Sequence, residues 1–287
     1  MSDGARPGQP SPTERITSLT NPAVKAAVRL RDRREREATG LTIVDGAREI
    51  LRALDAAVGV ERAFVAPDLI RGPDAVAVMD RLRGRPVVTE ASPAVLAKIA
   101  FGDRSDGVVA IVEAPVRRLD GVTLPPDALV VVVEGLEKPG NLGAILRSAD
   151  GAGAAAVIAA DSLTDLFNPN AIRASLGTIF TVPVATATSA ETLDWLIANG
   201  IRPIATVVDA PQRYSEVDLR PPIAIVLGSE ADGLSATWRD PAVTAVSIPM
   251  AGAADSLNVS TAAAVLLYEA VRQVADRQRP VTADPAH

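Results

Sequence analysis

Three short stretches hold most of the side chains able to do chemistry in this chain. Asn141 and Arg147 lie in Gly140-Asn141-Leu142-Gly143-(x3)-Arg147, Glu230 closes Leu227-Gly228-Ser229-Glu230, and Ser256 and Asn258 flank Leu257. Amides, a hydroxyl, a carboxylate and a guanidinium can hold and polarise a sugar or phosphate oxygen. The guanidinium is expected one turn into a helix, close to its N-terminal end, where free N–H groups add to its pull on an anion. Gly228 lets the backbone approach a flat ligand with no Cβ in the way. Backbone groups of Ile248, Met250 and Leu257 can read the edge of such a ligand, and Met250 and Leu257 can wall it. Local explanations compete at each position. Asn141 can simply be a helix N-cap and Gly143 a close-packing glycine, and Ser256 or Asn258 can cap the last helix. Arg173, Ser175 and Gly177 are either a second polar edge of the same site or a capped, solvated helix.

Composition removes other chemistries. The 287 residues contain no cysteine, and the sole histidine is the terminal His287. Disulfides, thiolate nucleophiles, imidazole acid–base work and Cys/His metal sites are therefore excluded, and no metal is expected. With no apolar run of the ~18 residues that cross a bilayer and no apolar h-region at the start, a cytoplasmic protein is expected, with no membrane partner. The net charge of −6 gives no overall pull toward phosphate, so any nucleic-acid surface must be local. Basic residues cluster early, at Lys25, Arg29, Arg31, Arg33, Arg34 and Arg36, interleaved with Asp32, Glu35 and Glu37. A solvated helix face explains that cluster as well as an RNA surface does.

The elements that must position these groups alternate between strands and helices, an α/β pattern. Residues 1–13, rich in Gly, Pro and Ser, are expected to be a disordered tail. A first domain, 14–113, opens with a helix from Asn21-Pro22 to about Ala38 that stops at Gly40. Strands are expected at Leu41–Val44, Arg62–Ala66, Pro86–Thr89 and Gly107–Glu113, with helices at Ala47–Ala57, Ala75–Arg83 and Pro93–Ile99. Residues 114–127, with three prolines, read as a linker. A second domain, 128–276, carries unbroken apolar strands at Leu129–Val133, Ala155–Ala160, Thr181–Val184, Pro203–Val208, Ile223–Leu227 and Thr244–Ile248. Such runs indicate a parallel sheet covered on both faces. A helix is expected from about Leu142 to Gly151, and a long amphipathic one from about Val259, followed by a tail at 277–287.

In this order and at these separations the three stretches resemble the signature motifs of the SpoU/TrmH-type branch of the SPOUT RNA ribose 2′-O-methyltransferases. The resemblance implies an S-adenosyl-L-methionine cofactor, a parallel-sheet domain with a deep trefoil knot, and a homodimer with its site near the interface. Carried over residue by residue, it puts cofactor contacts on Thr206, Gly228, Ile248, Met250 and Leu257. It puts catalytic positions on Asn141, Arg147, Glu230, Ser256 and Asn258. The N-terminal domain is similar to the family's L30e-like RNA substrate-binding module through Ile16–Asn21, Val44–Arg48 and Asp106–Ala110, although members often have Glu-Gly where Asp45-Gly46 stands. That module implies 23S ribosomal RNA as substrate; Lys25, Arg29, Arg33 and Arg36 of the basic cluster, and Arg173 in the second domain, are the expected RNA contacts. The whole chain is similar to rRNA methyltransferases of the avilamycin-resistance type. Alternatives are a tRNA ribose methyltransferase, a non-catalytic RNA-binding ribosome-assembly protein, and a Rossmann-type enzyme of small metabolites. The last lacks its glycine fingerprint, since Leu142 and Ile145 stand where glycines are needed.

Overall fold

The computed structural model describes residues 15–101, 106–115, 117–162 and 164–278. The expected tail at 1–13, His287 and most of the C-terminal tail lie outside the described residues. The chain divides into two compact units between Glu113 and Ala114.

The first unit holds helices α1 (Pro22–Arg29), α2 (Arg33–Thr39), α3 (Ala47–Asp55), α4 (Gly72–Leu82) and α5 (Pro93–Ile99). Its strands are β1 (Leu41–Val44), β2 (Val60–Val65), β3 (Val88–Glu90) and β4 (Val108–Glu113), ordered β1-β4-β2-β3. β4 runs antiparallel to β1 and β2, and β3 runs parallel to β2. Phe64, Ile43, Leu96 and Ile99 centre its core.

The single helix expected from Pro22 to Ala38 is two. The chain leaves helical geometry after Leu30, and Asp32 starts a new helix by accepting from the Arg34 N–H at 2.9 Å. Arg36 then turns inward and its guanidinium donates to the Leu30 carbonyl at 2.6 Å. It satisfies an acceptor that the helix break strands. Arg36 is 4% exposed, which corrects its assignment as an RNA contact. Arg29 and Arg33 remain at the surface, bonded to Glu35 at 3.2 Å and Glu37 at 2.6 Å.

Among the described residues the second unit has six parallel strands: β5 (Leu129–Glu134), β6 (Ala156–Ala160), β7 (Val184–Ala187), β8 (Arg202–Thr206), β9 (Ile223–Leu227) and β10 (Thr244–Val246). Their order is β10-β8-β9-β5-β6-β7. Helices α6 (Pro139–Gly151), α7 (Pro169–Ala174), α8 (Thr178–Thr181), α9 (Ser189–Ala198) and α10 (Val259–Gln278) connect or follow them. The stretch read as a linker packs Leu119, Val122 and Leu124 onto this unit's core. Three apolar side chains in fourteen residues are enough to hold it down.

One expected strand, Thr181–Val184, is displaced. Residues 178–181 instead form α8, whose Thr178 hydroxyl donates to the Ser175 carbonyl at 2.9 Å. Gly177, at φ 83°, restarts the chain there, and β7 begins only after Pro183. Threonine hydroxyls that bond back to the preceding turn compete with the strand their β-branched side chains favour.

From β5 the chain crosses to β6 on one side of the sheet, while β9, β5's other neighbour, leads to β10 on the far side. The carboxyl ends of β5 and β9 thus flank a point where connections diverge, the place open α/β sheets bind ligands.

Candidate active site

Four loops meet at that edge, following β5, β8, β9 and β10. The β9 loop is the tightest. Ser229 and Gly233 pair backbone to backbone at 3.1 and 3.2 Å, and the Asp232 N–H donates to the Ser229 hydroxyl at 2.9 Å. A Cβ on Gly228 would lie 2.3 Å from the Gly233 carbonyl carbon. Glycine is required at 228 because the loop folds back onto it.

A cavity of about 380 Å³ opens beside this loop. Thr206, Gly228, Ile248, Met250 and Leu257 all line it, as do Glu230 and Ser256. Among the described residues the Thr206 hydroxyl is buried and has no hydrogen-bond partner, an uncompensated polar atom in the wall residue. Ile248, Met250 and Leu257 supply apolar wall, and Glu230, Asp232 and Asp255 supply carboxylates with no lysine or arginine among the lining. The volume falls in the range of small-molecule sites. A flat base with a positively charged tail fits this chemistry, so the residues suit S-adenosylmethionine.

A second cavity of about 210 Å³ adjoins the first and shares Ser229, Glu230, Ala231 and Val259 with it. Its remaining wall comes from Gly135–Lys138 and Asn141. Around the shared Glu230 a polar cluster closes. Glu230 Oε1 accepts from Asn141 Nδ2 at 2.9 Å and from Asn258 Nδ2 at 2.7 Å, and Oε2 accepts from Lys138 Nζ. Asn258 Nδ2 also reaches Asn141 Oδ1 at 3.2 Å. Lys138 first, then Asn141, holds the Glu230 carboxyl below its ordinary value, and Glu230 in turn raises Lys138.

Local structure fixes each member. Asn258 Oδ1 accepts from the Ser260 N–H at 2.9 Å, capping α10, so one side chain both ends the loop and points its amide into the site. Ser256 is exposed on the first cavity and, among the described residues, caps no helix. Asn141 is not the N-cap of α6, because that helix begins earlier, at Pro139, with Lys138 as cap. Its amide is thereby free to serve the cluster.

Two expected members stand apart. Arg147 is in the third turn of α6, not near its start, and is exposed. It lines neither cavity, and no hydrogen bond or ion pair holds it among the described residues. Arg173, Ser175 and Gly177 also line neither cavity. Ser175 is fully buried and donates to the Ile172 carbonyl at 2.9 Å, while a Cβ on Gly143 would meet Ala174 Cβ at 2.4 Å. Ala174 and Ser175 of this edge pack against Gly143 of α6.

Sequence reasoning missed two contributors. Lys138 carried a signal, a lone lysine directly before Pro139-Gly140-Asn141. Glu134 carried another, a carboxylate ending the apolar run Leu129–Val133. It is 6% exposed and accepts from the Ser235 N–H and hydroxyl, each at 2.7 Å, and from the Ser189 hydroxyl. It ties the far end of the β9 loop to the sheet.

Comparison with known proteins identifies the family. The description of the SpoU rRNA Methylase family matches residues 128–268, and that of an MRM3-like substrate binding domain matches residues 21–110. A 23S rRNA (guanosine-2′-O-)-methyltransferase of Ralstonia nicotianae is 44% identical over 182 residues, 61% of this chain and 72% of that protein. A 23S rRNA (uridine(2479)-2′-O)-methyltransferase of Streptomyces viridochromogenes is 38% identical over 172 residues, 58% of this chain and 60% of that one. The crystal structure of an AdoMet-bound rRNA methyltransferase from Sinorhizobium meliloti superposes with a TM-score of 0.82 at 30% identity, covering 91% of this chain and 98% of that one. The chain belongs to the SpoU rRNA methylase family, the S-adenosylmethionine-dependent RNA ribose 2′-O-methyltransferases.

Proposed function

We propose that this protein methylates a ribose 2′-hydroxyl of 23S ribosomal RNA, with the donor in the larger cavity and the acceptor nucleotide in the smaller. The observation that carries the reading is the Asn141–Glu230–Asn258 cluster, built on the one carboxylate that lines both cavities. S-adenosylmethionine, when bound, supplies an activated methyl on a sulfonium. The chain's task is alignment of the sugar oxygen, and positioning of that kind is worth roughly 7–11 kcal/mol. Thr206, Gly228, Ile248, Met250 and Leu257 hold the donor. Asn141, Glu230, Ser256 and Asn258 orient the acceptor and exclude water. The two relatives act on a guanosine and a uridine by their names, which suits a site that grips sugar and cofactor more than base.

Arg147 completes the site from a second copy of the chain. Its exposed place on α6, outside both cavities, supports a homodimer with the active site at the interface. An arginine stays protonated at neutral pH, so it anchors phosphate and stabilises developing oxyanion charge and is not the general base. Mixing Arg147→Ala protomers with Glu230→Gln protomers should restore activity that neither variant has alone. No rescue from the mixture would place Arg147 outside the reaction.

The further features follow the same reading. The first unit is an L30e-like module that brings Lys25, Arg29 and Arg33 to the RNA, with Arg173 a further contact. The C-terminal segment forms a trefoil knot, the strand order β10-β8-β9-β5 being the support for it. The enzyme works in the cytoplasm and needs no metal. Modification of a drug-contacting nucleotide confers resistance of the avilamycin type, which susceptibility testing of an expressing strain examines. The test of the main reading is tritiated methyl incorporation into unmodified 23S RNA against tRNA. Label in tRNA alone would overturn the choice of substrate.

A further inference from the structure

We infer that Lys138 grips a backbone phosphate of the acceptor strand and that its ion pair with Glu230 is a resting state given up when RNA arrives. The inference rests on the proposed methyltransferase reading and assigns a role to a residue outside the motifs that carry it. Lys138 is the one cationic side chain lining either cavity among the described residues. It lies on the smaller one, beside Glu137, Asn141 and Glu230. A polyanion entering a pocket that holds two carboxylates needs a cation there, and Arg147 of the same chain is elsewhere.

The geometry makes the exchange easy. The Lys138 side chain is 67% exposed, and an exposed ion pair contributes little to stability. Its long stem swings without disturbing α6, because its backbone carbonyl alone serves the helix, accepting from Asn141 N–H at 3.1 Å and Leu142 N–H at 3.3 Å. Glu230 does not collapse when the ammonium leaves. Oε1 stays held by Asn141 and Asn258, and only Oε2 is bared, the oxygen whose partner was Lys138. That oxygen can then accept from the sugar hydroxyl.

A phosphate contact leaves a mark that a structural role does not. Each phosphate neutralised on a single strand contributes about 0.7 to the slope of log affinity against log salt. The test measures kcat/KM on an unmodified 23S RNA transcript across a KCl series for wild type, Lys138→Met and Lys138→Arg. Lys138→Met should flatten the slope by about 0.7 and leave calorimetric S-adenosylmethionine affinity within about twofold, while Lys138→Arg keeps the wild-type slope. A fall in kcat/KM with no change of slope would mean Lys138 acts only through Glu230, and the inference would be wrong. Failure of the wild type to label any RNA would instead sink the methyltransferase reading itself.

Discussion

Gly228→Ala isolates the geometry of the donor cavity. The new methyl would meet the Gly233 carbonyl carbon at 2.3 Å, its oxygen at 2.4 Å and the Leu234 nitrogen at 2.6 Å. All three are backbone atoms, so no side chain can swing away. Ordinary contact begins at 3.4 Å, and the β9 loop must therefore retreat by roughly an ångström, which a close-packed interior does not absorb. Overpacking of this kind costs about 1–3 kcal/mol, and the two Ser229–Gly233 backbone bonds that would stretch are worth about 1 kcal/mol each. Most of that cost should fall on ligand binding, because the loop that moves carries Glu230 and Asp232 into the cavity. A penalty of about 2–3 kcal/mol weakens S-adenosylmethionine by roughly 30- to 150-fold. Calorimetric titration beside a thermal melt reads both quantities. Gly252→Ala, where nothing stands within 4 Å, is the control and should leave affinity unchanged. Affinity within about threefold of wild type for Gly228→Ala would refute the reasoning, since the loop would then be free to yield.

Other perturbations test the supports of the site. Glu134→Ala strands the Ser235 N–H and two hydroxyls around a buried hole, and urea unfolding should show a loss of about 3–5 kcal/mol with weaker cofactor binding. Ser189→Ala removes one hydroxyl on the side away from the loop, and should cost about 1 kcal/mol with cofactor affinity intact. Arg36→Ala should destabilise the first unit by about 1.5–3 kcal/mol, measured by denaturation, while Lys25→Ala changes only RNA affinity. Burial raises the Glu49 carboxyl above its ordinary 4.5, so the folded chain binds this proton more tightly than the unfolded one. Stability is then lost as pH rises from about 4.5 through the raised value. Glu49→Gln should be more stable than wild type at pH 7, with the difference vanishing below pH 4, as unfolding at the two pH values would show.

Much of the fold was readable because burial leaves a period. Ile223–Leu227 was placed to the residue, since an apolar run bounded by Pro222 and Gly228 has one way to be a central strand. The break in the first helix was not, because Arg36 reads as a solvated cation until its target, a carbonyl exposed by the break itself, exists. Thr181 misled in the same way, its branching arguing for a strand while its hydroxyl donates to the Thr178 carbonyl at 3.2 Å. At the site, the family resemblance pointed to Gly228, Glu230, Leu257 and Asn258, and loops after parallel strands collect at one edge. It could not say that α6 starts at Pro139, which turns Asn141 from a cap into a ligand of Glu230 and carries Arg147 two turns away. Lys138 and Glu134 act across 92 and 101 residues of chain, separations at which a single sequence carries no signal of contact.

The account stands on two adjoining cavities that divide donor from acceptor at the Glu230 wall, and a crystal of the protein with S-adenosylhomocysteine examines that division directly. The adenosyl group should lie against Thr206, Gly228, Ile248 and Leu257, and the sulfur should face Glu230 and Asn258. Density for the ligand at any other edge of the sheet, or a sulfur turned away from the Asn141–Glu230–Asn258 cluster, would contradict it.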